Sequence, residues 1–299
     1  MICSVCIATY KRSQLLRKLL DSILKQNLTD NVKLQVVVVD NDAEKSAEHI
    51  IQGYENRENI TFEYFVQPEK NISLTRNVAV ENSIGKYLLF IDDDEEADEN
   101  WILTYLEVIN QYNADGVFGP VIPLYHDQTP AWMMEGNFFT KDCPPTGDRA
   151  LSTRTSNCII KAELIKSEPG PFDPEYGITG GEDTHLFTRL IKKGADFISS
   201  RESIVREFIP PERTTLKWIF KKSFQTGNTV TRRMIENAHN KLLKRMELFL
   251  RAVVFGIVSF VLIIVHLPSK KISAKWLMKF ASNAGHILAV IGINYKGYK

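Results

Sequence analysis

The stretch Tyr87–Asp98 reads YLLFIDDDEEAD, an apolar run that passes directly into five consecutive acidic residues. The apolar residues Tyr87–Ile91 predict a short buried strand. Neighbouring carboxylates repel each other and raise each other's pKa unless a cation lies among them. The acidic run is therefore either a solvated turn or a metal site. A metal site is favoured, because ligands bind at the carboxyl ends of strands in α/β sheets and hard divalent cations take oxygen ligands.

Apolar strands and amphipathic helices alternate around this stretch through the first 120 residues. The strands are predicted at Ile2–Ala8, Leu34–Val39 and Ile60–Val66. The helices are predicted at Ser13–Gln26, Ser73–Ser83 and Glu99–Gln111, with Ser13 as the N-cap of the first. This alternation predicts a mainly parallel sheet with helices on both faces, so the fold class is α/β. Helices resume, after a loop-rich region, at Glu182–Lys193 and Thr215–Phe224.

The charge of the chain is distributed unevenly along its 299 residues, although the net charge is only +1. Residues 1–200 carry 19 Lys and Arg against 31 Asp and Glu, whereas residues 201–299 carry 18 against 5. The acidic first part argues against nucleic acid as a partner. The basic second part favours contact with anionic lipid headgroups or phosphates.

Four cysteines do not form a disulfide framework or a zinc site. Cys3 and Cys6 lie in a strand-like run, where they are expected to point to opposite faces. Cys143 and Cys158 are not spaced as a second metal-binding pair. We therefore expect buried free thiols in a reducing cytosol. No signal peptide is expected either, since basic residues follow the first apolar run instead of preceding it.

The stretch Leu248–Leu267 is apolar apart from Arg251 and ends at Pro268. Twenty helical residues reach about 30 Å, the thickness of a bilayer's hydrocarbon core. A buried core helix is the alternative interpretation, and membrane contact is favoured. Because basic residues flank the stretch on both sides and prefer the cytoplasmic side, we expect monotopic or peripheral helices on the cytoplasmic face of the inner membrane.

Polar groups follow the predicted strands in IATYKRSQ, VVVVDNDA and NISLTRNVAVENSIGKYLLFIDDD. All of them should share the edge of the sheet where the acidic run lies. Asp40 could accept a hydrogen bond from a nucleobase N–H, and Arg76 could reach a diphosphate or ribose. With the carboxylates, these residues predict a site for a nucleotide and a metal ion.

The ordered motifs ATYKR, VVVVDND, N-x-S-x-x-RN, G-x-Y-x-x-FIDDDE and GGEDTHLFTRL resemble those of inverting glycosyltransferases of family 2, which have the GT-A fold. The resemblance covers about residues 1–235 and is especially close to bacterial exopolysaccharide enzymes such as succinoglycan-type glucosyltransferases. It implies a nucleotide-sugar donor, with UDP favoured, a divalent Mn²⁺ or Mg²⁺ ion and a membrane-linked glycan acceptor. The Q-x-x-R-W motif of processive synthases is absent, so one sugar is expected per acceptor.

The resemblance also implies roles for individual residues. Asp94 matches the carboxylate that touches the metal, Asp92 faces the nucleoside side and can share the metal, and Asp93 completes the triplet. The nucleotide-binding positions are matched by Thr9, Tyr10, Arg12, Asp40, Arg76, Asp92 and Asp93. Asp183 matches the general base, with Glu182 as the next candidate. The second strand ends DNDA where many members have D-D-x-S, which leaves the roles of Asn41 and Asp42 open.

Further positions were assigned to the acceptor side or left open. Gly180 and Gly181 would let the backbone approach the acceptor closely. His185 is either a third metal ligand or a residue that supports local structure. The remaining candidates are spaced for one helical face, which is either solvated or meets the acceptor's lipid phosphate, and they are Arg213, Lys217 and Lys221.

We expect three domains, namely a GT-A catalytic domain at 1–210, a basic helical acceptor-side segment at 211–246 and membrane-associated helices at 247–299. Two other functions compete with glycosyl transfer. A sugar nucleotidyltransferase would carry a glycine-rich phosphate loop after the first strand, and ATYKRSQ has no glycine. A catalytically silent membrane scaffold would have no physical need to keep mutually repelling carboxylates.

Overall fold

A computed structural model gives the architecture of the chain and describes residues 1–236, 238–293 and 295. The chain forms two compact units. The first contains Met1–Leu124 and Thr140–Phe208, and the second contains Tyr125–Phe139 and Ile209–Lys299. The predicted boundaries at 210 and 246 concern function and stay a prediction. The compact units differ from them because the segment 125–139 groups with the C-terminal helices.

Strands of the first unit form one mixed, mainly parallel sheet and one small sheet. The strands are β1 Ile2–Thr9, β2 Lys33–Asp40, β3 Ile60–Val66, β4 Tyr87–Ile91, β5 Glu95–Ala97, β6 Gly116–Phe118, β7 Val121–Tyr125, β8 Asn157–Lys161, β9 Phe197–Ser199 and β10 Val205–Ile209. In the part of the chain that is described, the large sheet has the order β3-β2-β1-β4-β8-β6-β9 and the small sheet the order β5-β10-β7. Strands β1 to β4 are parallel, whereas β8 runs antiparallel to β4 and β6.

Helices follow most of these strands. They are α1 Ser13–Leu24, α2 Glu48–Ile51, α3 Ile72–Asn82, α4 Trp101–Tyr112, α5 Ala131–Gly136, α6 Ala162–Lys166, α7 Glu182–Lys192, α8 Leu216–Glu236, α9 Lys241–Val265 and α10 Lys270–Val290. The strands and helices predicted in the first 120 residues are all present, with ends that differ by one or two residues. The α/β fold predicted from their alternation is confirmed.

Both faces of the large sheet are covered by apolar helices. Cys3 of β1 lies in a core cluster with α1 and α4, whereas Cys6 lies in a second cluster with α3 and α7. The two thiols therefore point to opposite faces, as predicted, and all four cysteines are buried and free. Leu186 and Phe187 anchor α7 in the second cluster. This packing places the amino end of α7 on the same face of the sheet as α3.

The start of α1 differs from the prediction. Arg12 occupies the N-cap position without a side-chain cap, and Ser13 is the first helical residue. The Ser13 hydroxyl instead donates a hydrogen bond to the carbonyl of Ser46 at 2.9 Å. Lys11 has a positive φ of 53°. The chain therefore turns sharply at Lys11, immediately before the Arg12 cap.

The second unit is built around α8, α9 and α10. Helices α8 and α10 cross closely at two glycines. A Cβ added to Gly227 would lie 2.1 Å from the carbonyl oxygen of Ser282, and one added to Gly285 would lie 2.1 Å from that of Phe224. Both distances are far below van der Waals contact, so the crossing requires glycine at both positions. Helix α8 is also longer than predicted, since it extends to Glu236.

Helix α9 begins seven residues before the predicted apolar stretch, at Lys241, and ends two residues before the end of that stretch, at Val265. Among the described residues it is the one helix long and apolar enough to cross a membrane, and only 17% of its most apolar window is buried. Val254, Ile257 and Val265 are each more than half exposed. The interpretation as a core helix is therefore disfavoured, because a core helix buries its apolar residues.

Candidate active site

The carboxyl ends of β1, β2 and β4 meet at one edge of the large sheet. Strands β1 and β2 are parallel with Thr9 opposite Asp40, and β4 pairs with the other side of β1 before it ends at Ile91. The loops that follow these strands carry the residues predicted to bind a nucleotide and a metal ion. Their convergence follows from the parallel register of the strands.

Asp93 is buried and joins the loops after β1 and β4. Its Oδ2 accepts a hydrogen bond from the Thr9 hydroxyl at 2.8 Å, and its Oδ1 accepts one from Nη1 of Arg12 at 2.8 Å. Burial raises the pKa of Asp93, and both partners lower it in part. Thr9, Arg12 and Asp93 are thus brought together as predicted, and their contacts give Thr9 and Asp93 a role in shaping the loops.

Asp94 lies beside Asp93 and contacts the same guanidinium, with Arg12 Nη1 at 3.1 Å from its Oδ2. Burial is the main cause that raises its pKa to about 6, and the negative charges of Asp92, Glu207 and Asp93 raise it further. The charge of Arg12 acts in the opposite direction. Asp94 is therefore a buried carboxylate in a strongly negative environment.

The residues Asp92–Asp94 between β4 and β5 form a loop that we call the acidic loop. Arg76 links this loop to the amino end of α7. Its side chain is only 11% exposed, its Nη2 lies 3.2 Å from Asp92 Oδ1, and its Nη1 donates to Glu182 Oε1. Helix α3, which carries Arg76, is capped by Asn71, whose side chain accepts hydrogen bonds from two backbone N–H groups of the first turn. A capped helix therefore fixes the guanidinium between two carboxylates.

Glu182 and Asp183 start α7 as predicted but differ in their surroundings. Glu182 is buried, and its pKa is raised by burial and by Asp183, while Arg76 lowers it. Asp183 is partly exposed, and its Oδ1 accepts hydrogen bonds from the backbone N–H of Thr184 at 2.5 Å and from the Thr184 hydroxyl at 3.2 Å. Asp183 is thus the carboxylate of the pair that a second substrate can reach.

The two glycines before α7 adopt conformations that favour glycine. Gly180 has φ of 81° and Gly181 has φ of 96°. A Cβ at Gly180 would meet nothing within 4 Å, so the space beside it is open. This agrees with the predicted open approach beside Asp183, because a positive φ costs glycine little.

Lys141 is a partly exposed cation of the site that the sequence did not indicate. Its Nζ lies 2.8 Å from Glu207 Oε2 and 3.9 Å from Glu95 Oε1. Burial alone would lower the pKa of Lys141, but the two glutamates raise it overall. Glu95 is fully buried, has a pKa raised well above its usual range by burial, and accepts a hydrogen bond from the Asp92 backbone N–H at 2.9 Å. Lys141 thus acts on the acidic loop through Glu95, whose carboxylate binds the backbone of Asp92.

The acidic loop fits a divalent cation. The carboxylates Asp92, Asp93, Asp94, Glu95 and Glu207 lie close together, and the cations that contact them include Arg12, Arg76 and Lys141. Among the described residues, no three His, Cys, Asp or Glu side chains form a ready-made metal site. Magnesium-type sites are usually completed by one or two carboxylates and the substrate's phosphates, so a site of this kind suits the loop.

Asp40 lies in a different environment from the one predicted. Its carboxylate is fully buried and accepts hydrogen bonds from the backbone N–H groups of Asp42 and Ala47, at 3.0 and 2.8 Å, and from the Tyr64 hydroxyl at 3.0 Å. These bonds hold the loop after β2 in place. Contact between Asp40 and a nucleobase stays a prediction, and it requires the carboxylate to become accessible.

Other groups near the ends of β1 and β2 differ in their surroundings. Tyr10 is exposed, and the ammonium of Lys70 lies 4.7 Å from its ring centroid. Asn41 donates to the carbonyls of the loop after β3. Asp42 has a buried Oδ2 for which the described residues offer no hydrogen-bond partner. The two positions that the sequence left open therefore differ, with Asn41 tying loops together and Asp42 offering an acceptor.

His185 supports local structure. Its ring stacks on Tyr176 with the centroids 4.6 Å apart, and its Nδ1 lies 3.3 Å from Arg189 Nη1 and 4.0 Å from Asp173 Oδ2. These contacts favour the structural one of the two interpretations, because a guanidinium beside Nδ1 opposes a metal ion there.

The basic residues assigned to the acceptor belong to the second unit. Arg213 lies in a short 3-10 turn before α8, with its guanidinium 5.8 Å from the Trp218 ring. Lys217 and Lys221 are exposed on α8. The expectation that all three share one helical face is wrong for Arg213, because α8 begins only at Leu216.

Comparison with known proteins shows the family. Residues 4–168 match the model of glycosyl transferase family 2. The chain is 33% identical to the succinoglycan biosynthesis protein ExoM of Rhizobium meliloti over 78% of this chain and 75% of that protein. It is 25% identical to the GalNAc(5)-diNAcBac-PP-undecaprenol beta-1,3-glucosyltransferase of Campylobacter jejuni, over 69% and 64% of the two chains.

Solved structures confirm the GT-A-type fold. Staphylococcus aureus TarS 1-349 matches with a TM-score of 0.53 and 14% identity, over 99% of this chain and 93% of that chain. Its complex with UDP matches with a TM-score of 0.52 and 15% identity, over 95% and 89%. At this identity the likeness concerns the fold alone. The family model, which covers more than half of the residues, and the similarity to ExoM together show that this chain belongs to glycosyl transferase family 2.

Proposed function

We propose that this glycosyltransferase moves one sugar, with inversion, from a UDP-sugar to a lipid-linked glycan acceptor in bacterial surface polysaccharide synthesis. The observation that carries the proposal is the position of Arg76 between Asp92 of the acidic loop and Glu182 beside Asp183. One guanidinium thus contacts both the acidic loop, where the donor's diphosphate would bind, and the start of α7, which carries the proposed base.

The donor is inferred from relatives and from the loops. TarS has been solved with UDP and with UDP-GlcNAc. In this chain, Tyr10 offers an exposed ring for stacking, Asp42 offers a buried acceptor for a base N–H, and Arg76 offers charge to the diphosphate. Asp40 serves the same loop by holding its backbone.

Asp94, helped by Asp92, would hold a Mn²⁺ or Mg²⁺ ion. When bound, the ion would neutralise charge that develops on the leaving diphosphate. Arg12 holds Asp93 and Asp94 in place, and Lys141 holds Glu95, whose carboxylate binds the backbone of Asp92. These contacts preorganise the loop before the donor binds, which is how electrostatic stabilisation is obtained at low cost.

Asp183 is proposed as the general base. A hydroxyl is a poor nucleophile at neutral pH, so a carboxylate within reach must take its proton as the new bond forms. Asp183 is the accessible carboxylate of the α7 start, and open space lies beside Gly180. Attack from the side opposite the diphosphate inverts the anomeric configuration in one displacement.

The acceptor and location are inferred from the second unit and from relatives. The exposed apolar helix α9 favours attachment to a membrane, and we place the protein on its cytoplasmic face in a monotopic or peripheral mode. ExoM is named for succinoglycan biosynthesis, and the Campylobacter relative is named for an undecaprenol-linked substrate. A lipid-linked glycan is the acceptor class that agrees with both.

The test uses the detergent-purified protein with a panel of sugar nucleotides and Mn²⁺. A cognate UDP-sugar should raise the thermal midpoint of unfolding and undergo metal-dependent hydrolysis or transfer. Asp94→Asn should abolish the metal-dependent part, whereas Glu99→Gln, at an exposed carboxylate near the loop, should not change it. If the wild type showed binding without any turnover, the silent scaffold would replace the proposal.

A further inference from the structure

Helices α8, α9 and α10 line a half-open cavity of about 490 Å³. This volume falls within the range of about 300–1,000 Å³ that is usual for ligand pockets. Its wall is largely apolar and includes Leu248, Ala252, Phe255 and Trp276. The size and lining suit a hydrocarbon chain.

Two cations line the same cavity. The Arg251 guanidinium lies 5.7 Å from the Phe255 ring centroid, and the Lys279 ammonium lies 4.1 Å from that of Trp276. Within the described parts of the chain, the ion pairs of α9 and α10 involve other lysines, namely Lys244 and Lys271. Arg251 and Lys279 thus present positive charge, uncompensated by a described carboxylate, at the wall of an apolar space.

The surroundings of the cavity are also apolar. Val254, Ile257 and Val261 on the outer side of α9 are between 50% and 61% exposed. Such a surface is stable in contact with lipid, and interfacial helices of this composition also attract anionic headgroups through basic residues. A ligand suited to both the apolar surface of α9 and the two cations of the cavity would combine a hydrocarbon chain with a negative charge.

We propose that the cavity between α8, α9 and α10 binds one anionic phospholipid, with an acyl chain against Leu248, Ala252 and Phe255 and the phosphate attracted by Arg251 and Lys279. The observations that carry this site are the volume, the lining and the two cations. It does not depend on the donor, the acceptor or the general base proposed above.

Native mass spectrometry of the full-length protein in detergent, with phosphatidylglycerol or phosphatidylcholine added, tests the site. The wild type should retain one phosphatidylglycerol per chain and much less phosphatidylcholine. The double variant Arg251→Gln with Lys279→Gln should reduce phosphatidylglycerol occupancy about tenfold or more, since each basic group near a lipid headgroup contributes about a factor of five. Circular dichroism establishes that the variants fold.

The matched control removes the same charges outside the cavity. Arg245→Gln with Lys275→Gln lies on the same two helices at exposed positions that do not line it. This control should leave occupancy unchanged. Equal losses in both double variants would reduce the effect to general surface charge and overturn the proposal.

A third variant tests the hydrocarbon part. Ala252→Leu narrows the cavity without changing charge, because Ala252 is buried and lines it. It should lower phosphatidylglycerol occupancy while the protein still pellets with phosphatidylglycerol vesicles through the exposed side of α9. Undiminished occupancy in this variant, or complete displacement of the phospholipid by stoichiometric farnesyl phosphate, would contradict the assignment.

Discussion

The two units of the molecule carry clusters of charged residues of opposite sign. In the first unit, the carboxylates of the acidic loop lie close together, and burial and the neighbouring negative charges raise the pKa of Asp94 to about 6. In the second unit, Arg251 and Lys279 line an apolar cavity without a described carboxylate partner. The uneven charge of the sequence therefore corresponds to two candidate sites of opposite sign, and we propose that each binds a ligand of the opposite charge.

The largest expected effect comes from removing a carboxylate that the metal requires. Asp94→Asn should abolish Mn²⁺- or Mg²⁺-stimulated turnover, because Asp94 is proposed as a direct ligand. Turnover assays across a metal titration measure this loss. Full activity of chelator-treated wild type would show that the carboxylates of the acidic loop do not bind a metal ion that turnover requires.

The same variant should be more stable than the wild type without metal at neutral pH. Between its ordinary value of 3.8 and about 6, folded Asp94 keeps a proton that the unfolded chain has released, so the free energy of unfolding falls as pH rises through this window. Asp94→Asn avoids this cost, which is at most about 3 kcal/mol. Thermal melts in chelator at pH 5 and pH 7.5 should show roughly half of the full gain at pH 5 and nearly all of it at pH 7.5.

The next effect concerns the general base. Asp183→Asn should lower turnover at least about a hundredfold, the usual scale for a lost base, with donor affinity nearly unchanged. Asparagine retains the capping ability of aspartate at a helix start, so little stability should be lost. Steady-state kinetics and donor titration separate the two properties.

Glu182→Gln tests the neighbouring carboxylate in the same kinetic assays. It should reduce turnover less, because Glu182 is buried against Arg76 and acts on the guanidinium instead of the acceptor. Near-normal transfer by Asp183→Asn would make Glu182 the next candidate for the base.

A smaller effect is expected from Lys141, which compensates negative charge beneath the acidic loop. Lys141→Met should lower the free energy of unfolding by about 2 kcal/mol, because Glu207 and Glu95 lose a partner in a largely buried place. Lys45→Met removes an exposed lysine that pairs with Glu48 and should change stability by less than about 1 kcal/mol. Chemical denaturation compares the two, and equal costs would contradict the role given to Lys141.

The smallest signal is expected from labelling the second unit. A cysteine placed at Ser269, between α9 and α10, should react poorly with a membrane-impermeant maleimide added outside intact cells. The native thiols give a low background, since burial raises the pKa of Cys3 and Cys143 to about 11 and that of Cys6 to about 12. Strong labelling at position 269 would mean that α9 crosses the bilayer.

Sequence reasoning succeeded where a local pattern determines structure. The apolar run Tyr87–Ile91 forms β4, and the motif residues Thr9, Arg12 and Asp93 meet because parallel strands end at one edge. It also predicted that Asp183 starts a helix. These features depend on short-range patterns and on the register of neighbouring strands.

The remaining features depend on contacts between residues far apart in the chain. Lys141 lies in the loop-rich region before Glu182, and no spacing links it to Glu207 across 66 positions. Asp40 ends its strand in the expected place, but its carboxylate binds the backbone of the next loop, and a motif does not show which way a side chain points. His185 likewise stacks on Tyr176, which no helical pattern indicates.

The glycines at the crossing of α8 and α10 have a consequence for how this protein can vary. At Gly227 and Gly285 even a methyl group would overlap a carbonyl oxygen of the facing helix, so a saturation library should yield almost no folded variant at either position. The outer side of α9 should accept exchange among Val, Ile, Leu and Phe, because contact with lipid requires apolar side chains but no particular shape. Sequence variation is therefore limited to glycine at the crossing of α8 and α10, whereas the outer side of α9 is limited only to apolar residues.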